Sequence, residues 1–231
     1  MRATEQILAT DKMQFARDGA LRLTGAVASL LPALRDIAAT FAPDRAGIRL
    51  AGSPALGQLI GKDGAGGIAA APFIGAEARP VRAILFDKTQ TTNWSLGWHQ
   101  DRTICVYERR EVTGFGPWTI KAGMHHVAPP IDVLKRMVTI RIHLDDVPAT
   151  NAPLLIAPGS HRLGMVREYA IDAVVARCGV DMCLAMAGDI WVYSTPILHA
   201  SEAAREPARR RVLQVDYAAF DLPGGLIWSG L

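Results

Sequence analysis

The 231-residue chain is short of cysteine, of net charge and of long apolar runs, and each shortage removes a class of protein. Cys105, Cys178 and Cys183 are odd in number and show no CxxC spacing, so neither a disulfide framework nor a cysteine zinc knuckle is expected, and a reducing compartment is. A formal charge of +3 is too small for a nucleic-acid surface. The one dense basic run, Arg205 with Arg209, Arg210 and Arg211, is interleaved with Glu202 and Glu206. No apolar stretch approaches the roughly 20 residues of a membrane span, and MRATEQILATDKMQFARDGA lacks the features of a secretory leader. The expectation is a cytoplasmic protein without nucleic-acid or membrane partners; its oligomeric state is not legible.

What is present is ordinary globular composition, half hydrophobic and a fifth charged. That length and composition suit one domain over residues 1–231, with a mainly helical part to residue 80 and a β core over 81–231. Leu30, Leu34, Ile37, Ala38 and Phe41 recur at helical spacing, with Ser29 as candidate N-cap. Residues 51–71, AGSPALGQLIGKDGAGGIAAA, read as a glycine-rich loop with a short helix around Leu56–Ile60. The strand and GxGxxG context of a nucleotide fold is missing.

Past residue 80 the period shifts to two. Residues 81–86, 98–107, 138–144, 154–157, 182–186, 190–193 and 212–217 are short β-prone runs divided by Gly, Pro, Asn or Asp. In VTIRIHL, Val138, Ile140, Ile142 and Leu144 alternate with Thr139, Arg141 and His143, the pattern of a sheet with one polar face. Such strands after a helical region predict a mostly β fold with N-terminal helices, a double-sheet barrel or jelly roll.

One short stretch carries chemistry. In GWHQDRT, His99 and Asp101 share a face if the segment is a strand, with Cα atoms roughly 6 to 7 Å apart, from which imidazole and carboxylate can converge on one ion. A two-histidine, one-carboxylate site binds one face of an octahedral iron and leaves three positions open. The remaining five histidines offer the third ligand. His161 lies in the turn APGSH, His143 on a polar strand face, His125 and His126 in the proline-flanked KAGMHHVAPP, and His199 after the apolar strand of GDIWVYSTPILHAS. Spacing alone leaves both a metal pair and a satisfied polar pair open.

Four motifs in order, GWHQDRT, NAPLLIAPGSHRLG, GDIWVYSTPILHAS and EPARRRVLQVDYA, together with FARDGALRLTGAV and ILFDKT, resemble the phytanoyl-CoA dioxygenase-like (PhyH) family of iron(II)/2-oxoglutarate oxygenases. The resemblance implies a cupin-like double-stranded β-helix and a small-molecule substrate. It also implies Fe(II), 2-oxoglutarate as co-substrate, and dioxygen. Carried across, it makes His99, Asp101 and His199 the metal ligands and catalytic centre. Arg210, eleven residues after His199, becomes the anchor for the distal carboxylate of 2-oxoglutarate, with Ser201 and Lys88 beside it. Alternation along RRVLQVDY allows either Arg210 or Arg211 to face inward, and only the family spacing selects Arg210. Trp118, His126 and Arg141 are candidate substrate contacts, as are His125 and His143.

Retention of Asp101 points to hydroxylation of an unactivated carbon rather than halogenation. Two other readings compete: a cupin-like binding protein without turnover, and an oxygen-independent metal-dependent isomerase or hydrolase. Neither needs both a ligand triad and Arg210 at that spacing. Substrate identity is not legible.

Overall fold

The computed structural model describes residues 7–41 and 47–230, so the reading of residues 1–6 as free of a leader lies outside the described residues. Six α-helices lie beside three antiparallel sheets: α1 (Ala9–Asp18), α2 (Leu31–Ala39), α3 (Pro54–Ile60), α4 (Ala65–Ile74), α5 (Ile131–Lys135) and α6 (Ile171–Cys178). The largest sheet orders β1 (Ala20–Leu23), β11 (Ile190–Ser194), β8 (Val138–His143), β13 (Arg210–Ala218), β3 (Arg79–Lys88) and β2 (Gly47–Leu50). A four-stranded sheet orders β10 (Asp181–Cys183), β9 (Leu154–Ile156), β12 (His199–Ser201) and β4 (Leu96–His99). The third sheet is β5 (Ile104–Val106), β7 (Met124–Val127) and β6 (Trp118–Lys121). This is the mostly β jelly roll with N-terminal helices that the strand pattern predicts.

Period-two alternation sorts the large sheet into two unlike faces. Leu85, Ile140, Ile142, Leu213, Val215 and Tyr217 pack against Leu34, Leu56, Ile60 and Ala70 of the helices in one core. Each fully buried Leu or Ile there is worth roughly 1.5 to 3 kcal/mol relative to exposure. The intervening residues, Arg82, Thr139, Arg141, Arg210, Gln214 and Asp216, are also buried, on the face turned towards the four-stranded sheet. The polar face expected of VTIRIHL therefore does not meet solvent. All six residues of β8 are buried, because the second sheet covers what alternation alone assigns to water.

Other expectations shift for local reasons. Residues 98–107 are not one strand: β4 joins the four-stranded sheet, β5 the three-stranded one, and residues 100–103 carry the chain between them. Ser29 lies in a 3-10 turn before α2 and makes no capping bond. Ser53 instead caps α3, accepting from the Leu56 amide. The glycine-rich stretch holds a second helix, α4, in which Gly66 and Gly67 are buried. KAGMHHVAPP is a hairpin arm. Ala122 and Gly123 both have positive φ, 51° and 77°, the geometry of a two-residue turn that pairs β6 with β7. From the part expected to be mainly helical, β1 and β2 supply both edges of the large sheet. No helix among the described residues is long and apolar enough to cross a membrane.

Candidate metal centre

His99 ends β4 and His199 begins β12, and the two are direct partners across those antiparallel strands. Their ring centroids stand 4.3 Å apart. Asp101 lies two residues past the end of β4, so it reaches the pair from the connecting segment and not by strand alternation. One potential ligand atom from each of His99, Asp101 and His199 lies within 4.8 Å of the others.

The tautomers follow from the hydrogen bonds. Nδ1 of His99 lies 2.8 Å from the Gly97 carbonyl, and Nδ1 of His199 lies 3.0 Å from that of Ile197. A carbonyl only accepts, so each Nδ1 carries hydrogen and each Nε2 keeps a free lone pair. Burial lowers the pKa of His199 to about 4 against the opposing pull of Asp101, which leaves the imidazole neutral at physiological pH. Burial works against ionisation of Asp101 as well. Arg82, His199 and His99 outweigh it, however, and hold the carboxyl below its usual range.

Arg82 anchors this arrangement from β3. Its Nη2 lies 3.5 Å from Asp101 Oδ2, and its Nε donates to Asp216 Oδ2 at 2.6 Å. Asp216 also accepts from the Thr139 hydroxyl at 3.0 Å, and Thr139 meets Thr195 at 3.1 Å. A buried guanidinium is tolerable only when it is paired. Here Asp216 holds one side of it and so aims the other at Asp101.

The cluster opens into a cavity of about 660 Å³, within the size range of small-molecule sites. Ile84, Phe86, Trp94, Leu96 and Leu154 give it apolar wall; Arg49, Arg82, Arg141, Ser201, Arg210 and Gln214 give it polar wall. Arg210 is 1% exposed, and one Nη donates to the Ala152 carbonyl. Its Nε is buried without a partner. Its neighbours along the strand are paired: Arg209 with Asp87 at 2.9 Å and Arg211 with Asp145 at 2.7 Å. Arg210 has no acidic partner among the described residues. Burial, with Arg141 nearby, pushes its pKa down, the signature of a cation whose anion is missing.

The sequence-predicted residues divide on this map. His99, Asp101, His199, Ser201, Arg210 and Arg141 line the cavity, and Arg141 donates to Gln214 at 2.8 Å while its Nε is unbonded. Lys88 does not line it. Its amine is consumed by the Trp94 carbonyl at 2.6 Å, Ser201 Oγ at 3.1 Å and the Glu202 carbonyl at 3.0 Å. Burial, with Arg210 and Arg141 close by, presses the Lys88 pKa down to about 7. Lys88 thus positions Ser201 from behind the wall.

Trp118 and His126 are also outside the cavity lining, contrary to expectation. Trp118 packs with Phe115 and Val127 in a separate core, and the His126 ring is buried with Nδ1 on the Met124 carbonyl. The β6–β7 hairpin fixes both. His143 is buried with both ring nitrogens unpartnered, and burial lowers its pKa well below 6.5. Trp98 and Gln100 also reach the cavity wall. Gln100 ties Gly164, Val166 and Pro196 together through its amide.

Sequence reasoning overlooked Arg49, Arg82 and Gln214. The signal for Arg82 was there: in PVRAILFDK, alternation puts Arg82 on the same face as Lys88, and Gln214 shares a face with Arg210. Arg49 lies on an edge strand too short for its period to be read.

A search among curated proteins found no match. Among solved structures, the fold is similar to apo EctD from S. alaskensis, with TM-score 0.65 and 18% identity over 100% of this chain and 84% of that one. It is also similar to AviO1 from Streptomyces viridochromogenes Tue57, with TM-score 0.61 and 20% identity over 97% and 98% of the two chains. HygX from Streptomyces hygroscopicus, crystallised with nickel and 2-oxoglutarate, matches with TM-score 0.61 and 13% identity over 94% and 88%. At these identities the likeness speaks for the fold alone. The family model described as phytanoyl-CoA dioxygenase (PhyH) matches residues 70–212, well over half of the sequence. The chain therefore belongs to the PhyH family, whose oxygenases use iron(II), 2-oxoglutarate and dioxygen.

Proposed function

We propose that this oxygenase hydroxylates an unactivated carbon of a small molecule, with His99, Asp101 and His199 holding iron(II) and Arg210 holding the distal carboxylate of 2-oxoglutarate. The observation that carries this reading is one cavity that joins a two-histidine, one-carboxylate cluster to a buried arginine lacking an acidic partner.

The donor set fits the metal. Two imidazoles that each offer a free Nε2, with one ionised carboxylate, suit ferrous iron and leave coordination places for other ligands. Arg210 fits a carboxylate because its planar fork can donate two parallel hydrogen bonds. When bound, iron(II) with 2-oxoglutarate and dioxygen supplies an oxidant that abstracts hydrogen from carbon.

The chain's own residues provide position and dryness. The Gly97 and Ile197 carbonyls fix the two rings, and Arg82 fixes Asp101. Ser201, held by Lys88, stands ready to bond the carboxylate that Arg210 grips. Phe86, Trp94 and Leu96 exclude water and give a substrate carbon an apolar seat. Arg141, with its free Nε, meets a polar group of the co-substrate or substrate. Asp101 fills the place a halide would need, which favours hydroxylation.

Conversion of 2-oxoglutarate to succinate by the Fe(II)-loaded protein in air, with and without a panel of metabolites, tests the reading. Wild type is expected to convert it, and Asp101→Ala and His199→Ala are expected to lose conversion while keeping a native circular dichroism spectrum. A wild type that releases no succinate with any panel member contradicts the reading.

A further inference from the structure

Building on the oxygenase reading, we propose that the substrate carries an anionic group, a carboxylate or a phosphate, bound at the cavity mouth by Arg49 with Lys121. Two of the cations that line the cavity already have acidic partners. Arg82 is paired to Asp216, and Arg102 lies 3.4 Å from Glu168. Arg49 and Lys121 line the same cavity and form no ion pair within the described residues. Arg49 is half-buried on β2, with its Nε buried and unbonded. Desolvating a guanidinium without an anion is costly unless a ligand supplies one.

Iron(II) and the dianion of 2-oxoglutarate do not fill that role. Their charges cancel each other, and Asp101 offsets only one of Arg141 and Arg210. Position separates Arg49 as well. The register runs Arg141, Gln214, Ile84, Arg49 across four adjacent strands. With strands about 4.8 Å apart and roughly 3.4 Å per residue, Arg49 lies two strands across and four residues along from Arg210, roughly 16 Å between Cα atoms. That puts it on the edge strand of the sheet, while Lys121, exposed on β6 of the third sheet, lines the same cavity. Asp172, exposed on α6, lines the cavity without an ion pair of its own and repels an anion from that side. The anion is thereby directed to the β2 and β6 wall, leaving the rest of the substrate over the apolar residues near the metal ligands.

The test titrates the protein, loaded anaerobically with Fe(II) and 2-oxoglutarate, with benzoate, phenyl phosphate, benzamide and benzyl alcohol. Calorimetry reads binding of each probe, and the visible iron band reads the metal site separately. At least one of the two anions is expected to bind ten-fold or more tightly than either neutral probe, and which one does so identifies the preferred group. Arg49→Gln should abolish the preference and Arg49→Lys should keep most of it. Equal binding of charged and neutral probes overturns the proposal, as does a preference that survives in Arg49→Gln. So does a loss of 2-oxoglutarate affinity in that variant. An anion preference without an iron band upholds the cationic site and removes the oxygenase reading; a band without the preference does the reverse.

Discussion

Three consecutive arginines, identical in chemistry, have three different roles because a strand alternates and because their partners differ. Arg209 and Arg211 reach Asp87 near the end of β3 and Asp145 just past the end of β8, while Arg210 turns into the cavity with no carboxylate to meet among the described residues. Charge-assisted hydrogen bonds are worth about 1.5 to 3 kcal/mol. Arg210→Ala is therefore expected to weaken 2-oxoglutarate by roughly 10- to 100-fold in an anaerobic titration, with little change in iron affinity. Arg211→Ala should leave 2-oxoglutarate alone and cost about 1 kcal/mol of stability in denaturant unfolding, as its half-screened pair suggests. If Arg211→Ala is the variant that loses the co-substrate, the role assigned to Arg210 is wrong. Alternation alone could not decide between the two, because it fixes which residues share a face but not which face turns inward. Their acidic partners, Asp87 and Asp145, lie more than 60 residues away and are invisible to local pattern.

Among the elements, α4 shows most clearly what a composition hides. Its glycines read as loop, yet Gly66 is a contact point: a Cβ there would stand 2.0 Å from the Tyr217 hydroxyl and 3.2 Å from the Ile60 Cα. That hydroxyl donates to the Ile60 carbonyl at 2.6 Å, tying β13 to α3 under the helix. Helix propensity alone makes Gly→Ala favourable by about 1 kcal/mol. Overpacking costs about 1 to 3 kcal/mol, and displacing the tyrosine bond adds to it, so the steric term wins. Gly66→Ala is expected to lower the unfolding free energy by about 1 to 2 kcal/mol. A stabilised variant would mean that α4 is not packed as described. The longer strands of the large sheet were legible, since Val212–Tyr217 and Val81–Phe86 are long enough to show their period. Among the strands of three or four residues, β9 was read, but β1, β2, β6, β7 and β12 were not, because so short a run contains barely one alternation. The metal-ligating pattern was legible through His99 and Asp101, but for a partly different reason than the strand argument supplied: Asp101 arrives from a connecting segment.

On the scale of the whole molecule, the large sheet keeps its apolar face for the helices and turns its charged face inward, towards a second sheet. That inversion of the usual pattern of polar residues facing water buries six polar side chains, of which Arg82, Arg141, Arg210 and Gln214 line one cavity, and Asp216 and Thr139 stand behind them. Some of them satisfy one another, as Arg82 and Asp216 do, and Arg210 does not. The imbalance is what the proposed co-substrate and substrate would correct, so the account stands or falls on whether the metal and the dianion occupy this space together. The most direct measurement is an anaerobic titration of the protein with Fe(II) and 2-oxoglutarate, followed in the visible region. A weak charge-transfer band is expected in the wild type only when both are present, and it should be absent in His199→Ala. A wild type without the band, or a His199→Ala variant that keeps it, contradicts the assignment of iron to His99, Asp101 and His199.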